Sequence, residues 1–154
     1  MGTRLATLLV AATVALVTVS CGGGGTKADA PTRSQYVAQV NRLCLESLAQ
    51  RRTLVPSTAT PKALTDALQQ SVAIDEQLQQ QIAAIQPPAA LRQDVRRLLD
   101  LETQEHQVIL QLVVAINRSD AQSTNTLYTQ LDQLGSQLRP LLDRLGLTKC
   151  SEKV

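Results

Sequence analysis

From position 32 onward, apolar residues recur every three or four positions, which is the spacing that places them on one face of an α-helix. The first such segment begins near Thr32, where Thr32 and Gln35 form a capping-box pattern. It ends before Pro56. Its apolar positions, which predict the buried side of a first helix, are Tyr36, Val37, Val40, Leu43, Cys44, Leu48 and Val55.

A second helix is predicted to open at Thr60-Pro61, an N-cap residue followed by a proline in the first turn. The prolines at 87 and 88 end it, and Pro88 can also begin the next helix. Its apolar stripe contains Leu64, Ala67, Leu68, Ser71, Ile74, Leu78, Ile82 and Ile85.

A third helix is predicted from about Pro88 to Asn117, with its buried side at Leu91, Val95, Leu98, Leu101, Val108, Ile109, Leu112, Val113 and Ile116. A turn follows it, in which Ser119 or Asp120 can cap a fourth helix. That helix has the most regular stripe: Leu127, Leu131, Leu134, Leu138, Leu141 and Leu145.

The end of the fourth helix is marked by Gly146, which suits a left-handed C-cap, with Leu147 available for the apolar contact beyond it. Gly135 and Pro140 interrupt the helix, and Pro140 is expected to kink it. Four helices of similar length with short connections predict an all-α, up-down-up-down four-helix bundle over residues 32–154. The leucine stripe also fits a coiled-coil dimer seam, but three other amphipathic helices favour an intramolecular core and a monomer.

The first 25 residues have the pattern of a secretory signal that ends at a lipid attachment site. Arg4 precedes an uncharged apolar run, Leu5 to Val19, which is shorter than the ~20 residues that a membrane-spanning helix needs. We expect residues 1–20 to be a signal cleaved after Ser20, and Cys21 to carry a diacylglyceryl group. The alternative is an ordinary signal peptide followed by a free cysteine. Residues 21–31, rich in glycine, would form a flexible tether.

The cysteine count agrees with export, since lipidation of Cys21 leaves only Cys44 and Cys150. Disulfides persist outside the cytoplasm. A bond between these two would close a loop of about a hundred residues, contributing ~4–5 kcal/mol on the chain-entropy model. Composition narrows the function further. A net charge of +2 gives no electrostatic signature of nucleic-acid binding, and 1% aromatic residues imply an aliphatic core.

Helix 3 carries the one cluster with plausible metal ligands. Glu102 and His106 share a face, and Asp75 or Glu76 of helix 2 could complete a mononuclear site, although a solvated charged face is the commoner meaning of such a run. Glu105 falls on the apolar seam, so we expect it to meet Arg51 or Arg52, or to face water. No Ser-His-Asp or Cys-His arrangement and no phosphate-binding glycine loop is evident, so we expect neither catalysis nor a cofactor.

Four parts of the mature chain form a recognisable set: Tyr36 to Cys44, the paired prolines at 87 and 88, the turn at 118–120, and Arg144 to Cys150. In these segments the chain resembles a family of small, uncharacterised actinobacterial lipoproteins. Members often have Gly-Asp where this chain has Ser119-Asp120. The resemblance implies a surface-attached helical domain whose two terminal cysteines are bridged, and it supplies no catalytic residues.

Together these features predict a protein anchored by lipid to the extracytoplasmic face of the cell membrane, with a non-catalytic binding or accessory role. Its partner would be an unknown protein or an apolar ligand. Carriage of an apolar or lipid ligand between the helices is the main alternative, and a metal-binding bundle is a third.

Overall fold

The computed structural model describes residues 31–54 and 60–151, and this part of the chain is all-α. The predicted signal, with Ser20 and Cys21, lies outside the described residues. The helices are α1 (Arg33–Arg52), α2 (Pro61–Ala84), α3 (Arg92–Asn117) and α4 (Ala121–Leu145). They form the predicted four-helix bundle, in which α3 packs against α2 and α4, and α1 packs against α2. No described helix has the length and apolar content needed to cross a membrane.

The predicted helix caps are confirmed. Thr32 and Gln35 form a reciprocal capping box at α1. At α2, whose first residue is Pro61, the Thr60 hydroxyl accepts a hydrogen bond from the Ala63 N–H. Asp120 caps α4 by accepting the Ser123 N–H at 3.0 Å. Just before it, Ser119 adopts a φ of 54°, in the left-handed region that glycine tolerates best.

Three helix details differ from expectation. α1 ends at Arg52 instead of continuing to the residue before Pro56, because Thr53 and Leu54 form a turn in which the Thr53 hydroxyl donates to the Gln50 carbonyl at 2.7 Å. A 3₁₀ turn, Ala89–Leu91, precedes α3. α4 is one continuous helix through Gly135 and Pro140 to Leu145, so neither residue interrupts it, while the kink expected at Pro140 stays a prediction.

The bundle has two unlike halves, because α1 is shorter than its neighbours. Arg51, in the last turn of α1, pairs with Asp75 halfway along α2, so residues 61–74 extend past the end of α1. We call the part that contains α1 the four-helix half. The part built from the start of α2, the end of α3 and the start of α4 is the three-helix half. Each has its own cluster of buried aliphatic side chains.

The C-terminal tail, residues 146–151, folds back along α1. Gly146 has a φ of 80°, and the Leu147 N–H reaches back to the Leu142 carbonyl at 2.9 Å, which turns the chain and buries Leu147. Asn41 then donates to the Gly146 carbonyl and accepts from the Lys149 N–H, both at 3.0 Å. The tail is thereby laid along the middle of α1.

The predicted disulfide between Cys44 and Cys150 is present and joins residues 106 positions apart. Cys44 lies one helical turn beyond Asn41 on α1, so the side-chain clamp and the covalent bond hold the same segment. The tail is thus held against α1 in the four-helix half by both hydrogen bonds and the disulfide.

Candidate functional site

A polar cavity of about 90 Å³ lies where the four-helix half meets the three-helix half. It interrupts a core that is otherwise built from leucine, isoleucine and valine. All four helices and the tail contribute to its lining, which consists of Arg51, Asp75, Leu78, Glu102, Glu105, His106, Leu138, Leu142 and Cys150.

Helical spacing explains how the ionisable groups reach one place. Glu102, Glu105 and His106 follow one another at steps of three and one on α3, so they occupy neighbouring positions on the side that faces the bundle interior. α1 ends at the same level, and its last turn supplies the only guanidinium among the lining residues, that of Arg51. The Cys150 side chain closes the cavity on the side of the tail.

The one ion pair of the cavity joins Arg51 Nη1 to Asp75 Oδ1 at 3.5 Å, with about a quarter of each side chain exposed. Burial raises the pKa of Asp75. The positive charge of Arg51, the imidazole of His106 and the nearby Ser47 hydroxyl act in the opposite direction. A partly buried pair of this kind sits between the weak surface ion pairs and the strongly coupled buried ones.

Glu102 is the most strongly perturbed carboxyl group. Removal from water raises the pKa of Glu102 to about 8, and the negative charges of Asp75 and Glu105 act in the same direction. At neutral pH this group therefore keeps its proton and can donate a hydrogen bond. Burial also raises the pKa of Glu105. One guanidinium is thus shared among three carboxyl groups, of which Glu102 is neutral.

The only histidine of the chain is buried with this cluster. Burial lowers the pKa of His106, while the charges of Asp75 and Glu76 oppose that shift. The imidazole is therefore neutral at pH 7 and can both donate and accept a hydrogen bond. It adds no positive charge to balance the carboxyl groups at that pH.

Three buried polar atoms around the cavity make no hydrogen bond to the described residues: the Tyr36 hydroxyl, Ser47 Oγ and Arg51 Nε. Burial, together with the charge of Glu102, raises the pKa of Tyr36 to about 12. Each such atom is costly by about 1–3 kcal/mol if it stays unsatisfied. Of the three residues, Arg51 lines the cavity, whereas Tyr36 and Ser47 lie outside its lining.

The structure brings together three of the four metal-ligand candidates. Asp75, Glu102 and His106 line one cavity, whereas Glu76 is exposed and outside its lining. Across the described ranges, no group of three or more His, Cys, Asp or Glu side chains is placed to hold a metal ion.

The neighbourhood expected for Glu105 is confirmed only in part. Arg51 lines the same cavity, and its charge works to lower the pKa of Glu105, but its ion pair is with Asp75. Arg52 is exposed. Asp75 competes better because it approaches Arg51 from the adjacent helix α2, against which α1 packs.

The buried hydroxyls of Ser47 and Tyr36, near Asp75 and Glu102 respectively, are not predicted from the sequence to lie close to a polar cavity. Both lie on the apolar seam of α1, and Tyr36 was assigned there as a core residue. Their one visible signal is that a hydroxyl at a seam position needs a partner inside the bundle.

The chain matches no known family model, and neither the curated proteins nor the solved structures contain a significant match to it.

Proposed function

We propose that this chain is a lipid-anchored helical module on the extracytoplasmic face of the membrane, where it binds or supports another molecule without catalysis. The proposal is supported above all by how the three cysteines of the chain are distributed between a disulfide and the predicted lipid attachment site. The Cys44–Cys150 disulfide takes two of the three, and the third, Cys21, is separated from the apolar run only by Ser20. A disulfide between distant residues supports an oxidising compartment.

The geometry of the polar cavity supports a non-catalytic role. Its volume of about 90 Å³ is well below the roughly 300–1,000 Å³ of small-molecule sites. Its charged groups engage one another, as the ion pair between Arg51 and Asp75 illustrates. The cluster therefore acts on the stability of the bundle, and a partner is bound at the surface of the module.

Carriage of an apolar ligand between the helices is the second candidate, suggested by the aliphatic core. The size and ionisable lining of the cavity disfavour it, since an acyl chain would have to displace the polar cluster. Native mass spectrometry of the chain released from detergent separates the candidates. A co-purifying lipid supports the carrier, a bound metal supports a metal-binding bundle, and an empty monomer supports the proposed module.

Replacement of Cys21 by Ala tests the anchor. We expect Cys21→Ala to leave the chain unprocessed or to release it from the membrane fraction, because two or more acyl chains stabilise attachment at about 0.8 kcal/mol per buried methylene. Gly23→Ala, in the tether, is the matched control and should stay in the membrane fraction at its processed mass. An unchanged mature mass and unchanged detergent partitioning of Cys21→Ala would rule out lipidation there.

A further inference from the structure

Six exposed glutamines line a groove of about 350 Å³ on the outer face where α3 meets α4. The less exposed apolar side chains of Val108 and Leu134 complete the lining. The glutamines are Gln104, Gln107, Gln111, Gln130, Gln133 and Gln137. This amide surface is separate from the polar cavity, because the two share no lining residue.

The two rows of glutamines have the same spacing. On α3 they occupy positions 104, 107 and 111, and on α4 positions 130, 133 and 137. Along the chain, each row therefore advances by three residues and then by four. The short turn between the helices makes them antiparallel, which places Gln104 level with Gln137 and Gln111 level with Gln130. Each row spans roughly 10 Å at 1.5 Å per residue. The result is a double row of amides across one groove.

The groove continues toward the turn between the helices. A second groove of about 370 Å³ shares Gln111 with the first and is lined also by Val114, Ala115, Arg118, Asp120, Gln122, Ser123, Thr126 and Leu127. From Gln104 to Arg118 the path is roughly 21 Å long. The charged members of this combined lining, Arg118 and Asp120, lie together at its far end. Everywhere else the lining consists of amide, hydroxyl and aliphatic groups.

This lining matches the chemistry of a peptide backbone. A glutamine amide offers two N–H donors and a carbonyl acceptor, which can pair with the carbonyl and the N–H of a peptide group. Apart from Arg118 and Asp120 at its far end, the lining is uncharged and gives no electrostatic attraction to an ion or to a charged chain. The aliphatic side chains between the amides suit the apolar side chains of a peptide better than the flat face of a sugar ring or a base.

We propose that the α3–α4 groove binds an extended, uncharged peptide segment of a partner protein. At about 3.3 Å per residue, a 21 Å groove accommodates roughly six residues. The inference rests on the proposed function, since it names the class of partner that an extracytoplasmic accessory module would bind. Backbone hydrogen bonds to the glutamines provide affinity, and apolar side chains at alternate positions contact Val108 and the exposed Val114.

The test uses the full-length chain in mild detergent and three defined probes. The first is a library of end-blocked hexapeptides with alternating apolar and neutral polar residues. The second carries Glu or Lys at the polar positions, and the third is the neutral sugar cellohexaose. We expect the neutral peptides to bind best in fluorescence anisotropy. Gln107→Ala and Gln133→Ala should each weaken the selected peptide about threefold to tenfold, while Gln69→Ala, on an exposed position of α2, leaves binding unchanged.

The inference would be overturned if no neutral peptide binds, or if the double variant Gln107→Ala/Gln133→Ala binds the peptide as well as the parent chain does. Binding of cellohexaose in place of the peptides would also overturn it. So would a dimer of the chain, seen by sedimentation, that the same substitutions dissociate. Membrane attachment of these variants is measured in parallel. A chain that still requires Cys21 for attachment but binds no peptide keeps its proposed anchored location and loses the peptide groove.

Discussion

The two halves of the bundle are held together by different means. In the four-helix half, the tail is fixed to α1 by a disulfide and by two hydrogen bonds of Asn41. Arg33 of α1 also donates to the carbonyl of Arg144, in the last turn of α4, at 2.7 Å. The three-helix half is packed around Leu112, Ala115 and Leu127. Among the residues that the structure describes, five large apolar side chains are exposed, and four of them belong to this half: Leu64, Leu110, Val114 and Tyr128.

This difference shows why the polar cluster lies between the halves. α1 ends at that level, and its last turn contributes Arg51. The carboxyl groups of α2 and α3 therefore lie near a cation at the end of α1. The groove proposed for a peptide begins at Gln104, beside this junction, and runs along the three-helix half.

Loss of the disulfide should have the largest effect on this comparison. Cys44→Ala/Cys150→Ala removes the crosslink between residues 106 positions apart. We expect the free energy of unfolding to fall by about 2–5 kcal/mol. Urea unfolding followed by circular dichroism measures it, and reductant should have the same effect on the parent chain and none on the double variant. Hydrogen exchange should increase most in the tail and α1. An equal increase throughout α2 and α3 would show that the halves do not differ.

A matched pair of cavity substitutions compares the two cores directly. Leu141 and Leu112 are each 1% exposed, one in the core of each half. Replacement of either by Ala should cost about 2–5 kcal/mol, with Leu141→Ala near the upper end because its crosslinked surroundings relax less around a cavity. Chemical denaturation gives both values under the same conditions. A larger loss for Leu112→Ala would reverse the assignment of the rigid half.

Stability should fall as pH rises through the neutral range, because of the cluster at the junction. The ordinary pKa of Glu102 is 4.5 and burial raises it to about 8, so between these values the folded chain holds a proton that the unfolded chain releases. Unfolding then releases a proton, and the free energy of unfolding decreases with pH. The pKa values of Asp75 and Glu105 are also raised, so each carboxyl group destabilises the fold in the same sense as pH rises above its ordinary pKa.

The measurement is best made between pH 6.5 and 8. Below that range the lowered pKa of His106 has the opposite effect, because the unfolded chain then binds a proton that the folded chain does not. We expect a loss of about 1–2 kcal/mol across the range, and Glu102→Gln should remove most of it. Glu46→Gln, at an exposed position of α1, is the control. An identical pH slope in Glu102→Gln would show that its carboxyl group is not the source.

The helices could be predicted from the sequence because their signals are local. The caps at Thr32, Thr60 and Asp120 and the stop at Gly146 are each formed by residues close in sequence, and all are present. The end of α1 was placed too late, because a seam residue at position 55 extends the apolar pattern although the turn after Arg52 has already closed the helix. The spacing of apolar residues alone does not show where the backbone hydrogen bonds change from a helix to a turn.

The polar cluster was less predictable because its partners lie on different helices. The spacing of Glu102, Glu105 and His106 indicated a shared face, but the choice of Asp75 as partner for Arg51 depends on the relative heights of α1 and α2. Those heights follow from how far α1 extends, which the sequence placed only approximately. Ser47 and Tyr36 give no signal that separates a buried hydroxyl of the site from an ordinary core residue.

The smallest expected effects come from two glycines, which should respond to Ala with opposite signs. Gly146 has a φ of 80° at the turn that starts the tail, so Gly146→Ala should destabilise by about 1–2 kcal/mol through the backbone. The added methyl group would itself meet Val37 only at an ordinary 3.5 Å. Gly135 lies inside α4 with open space around a new methyl group, so Gly135→Ala should stabilise by about 0.5–1 kcal/mol. Thermal unfolding measures both, and a shared sign would refute the distinction between a required glycine and a replaceable one.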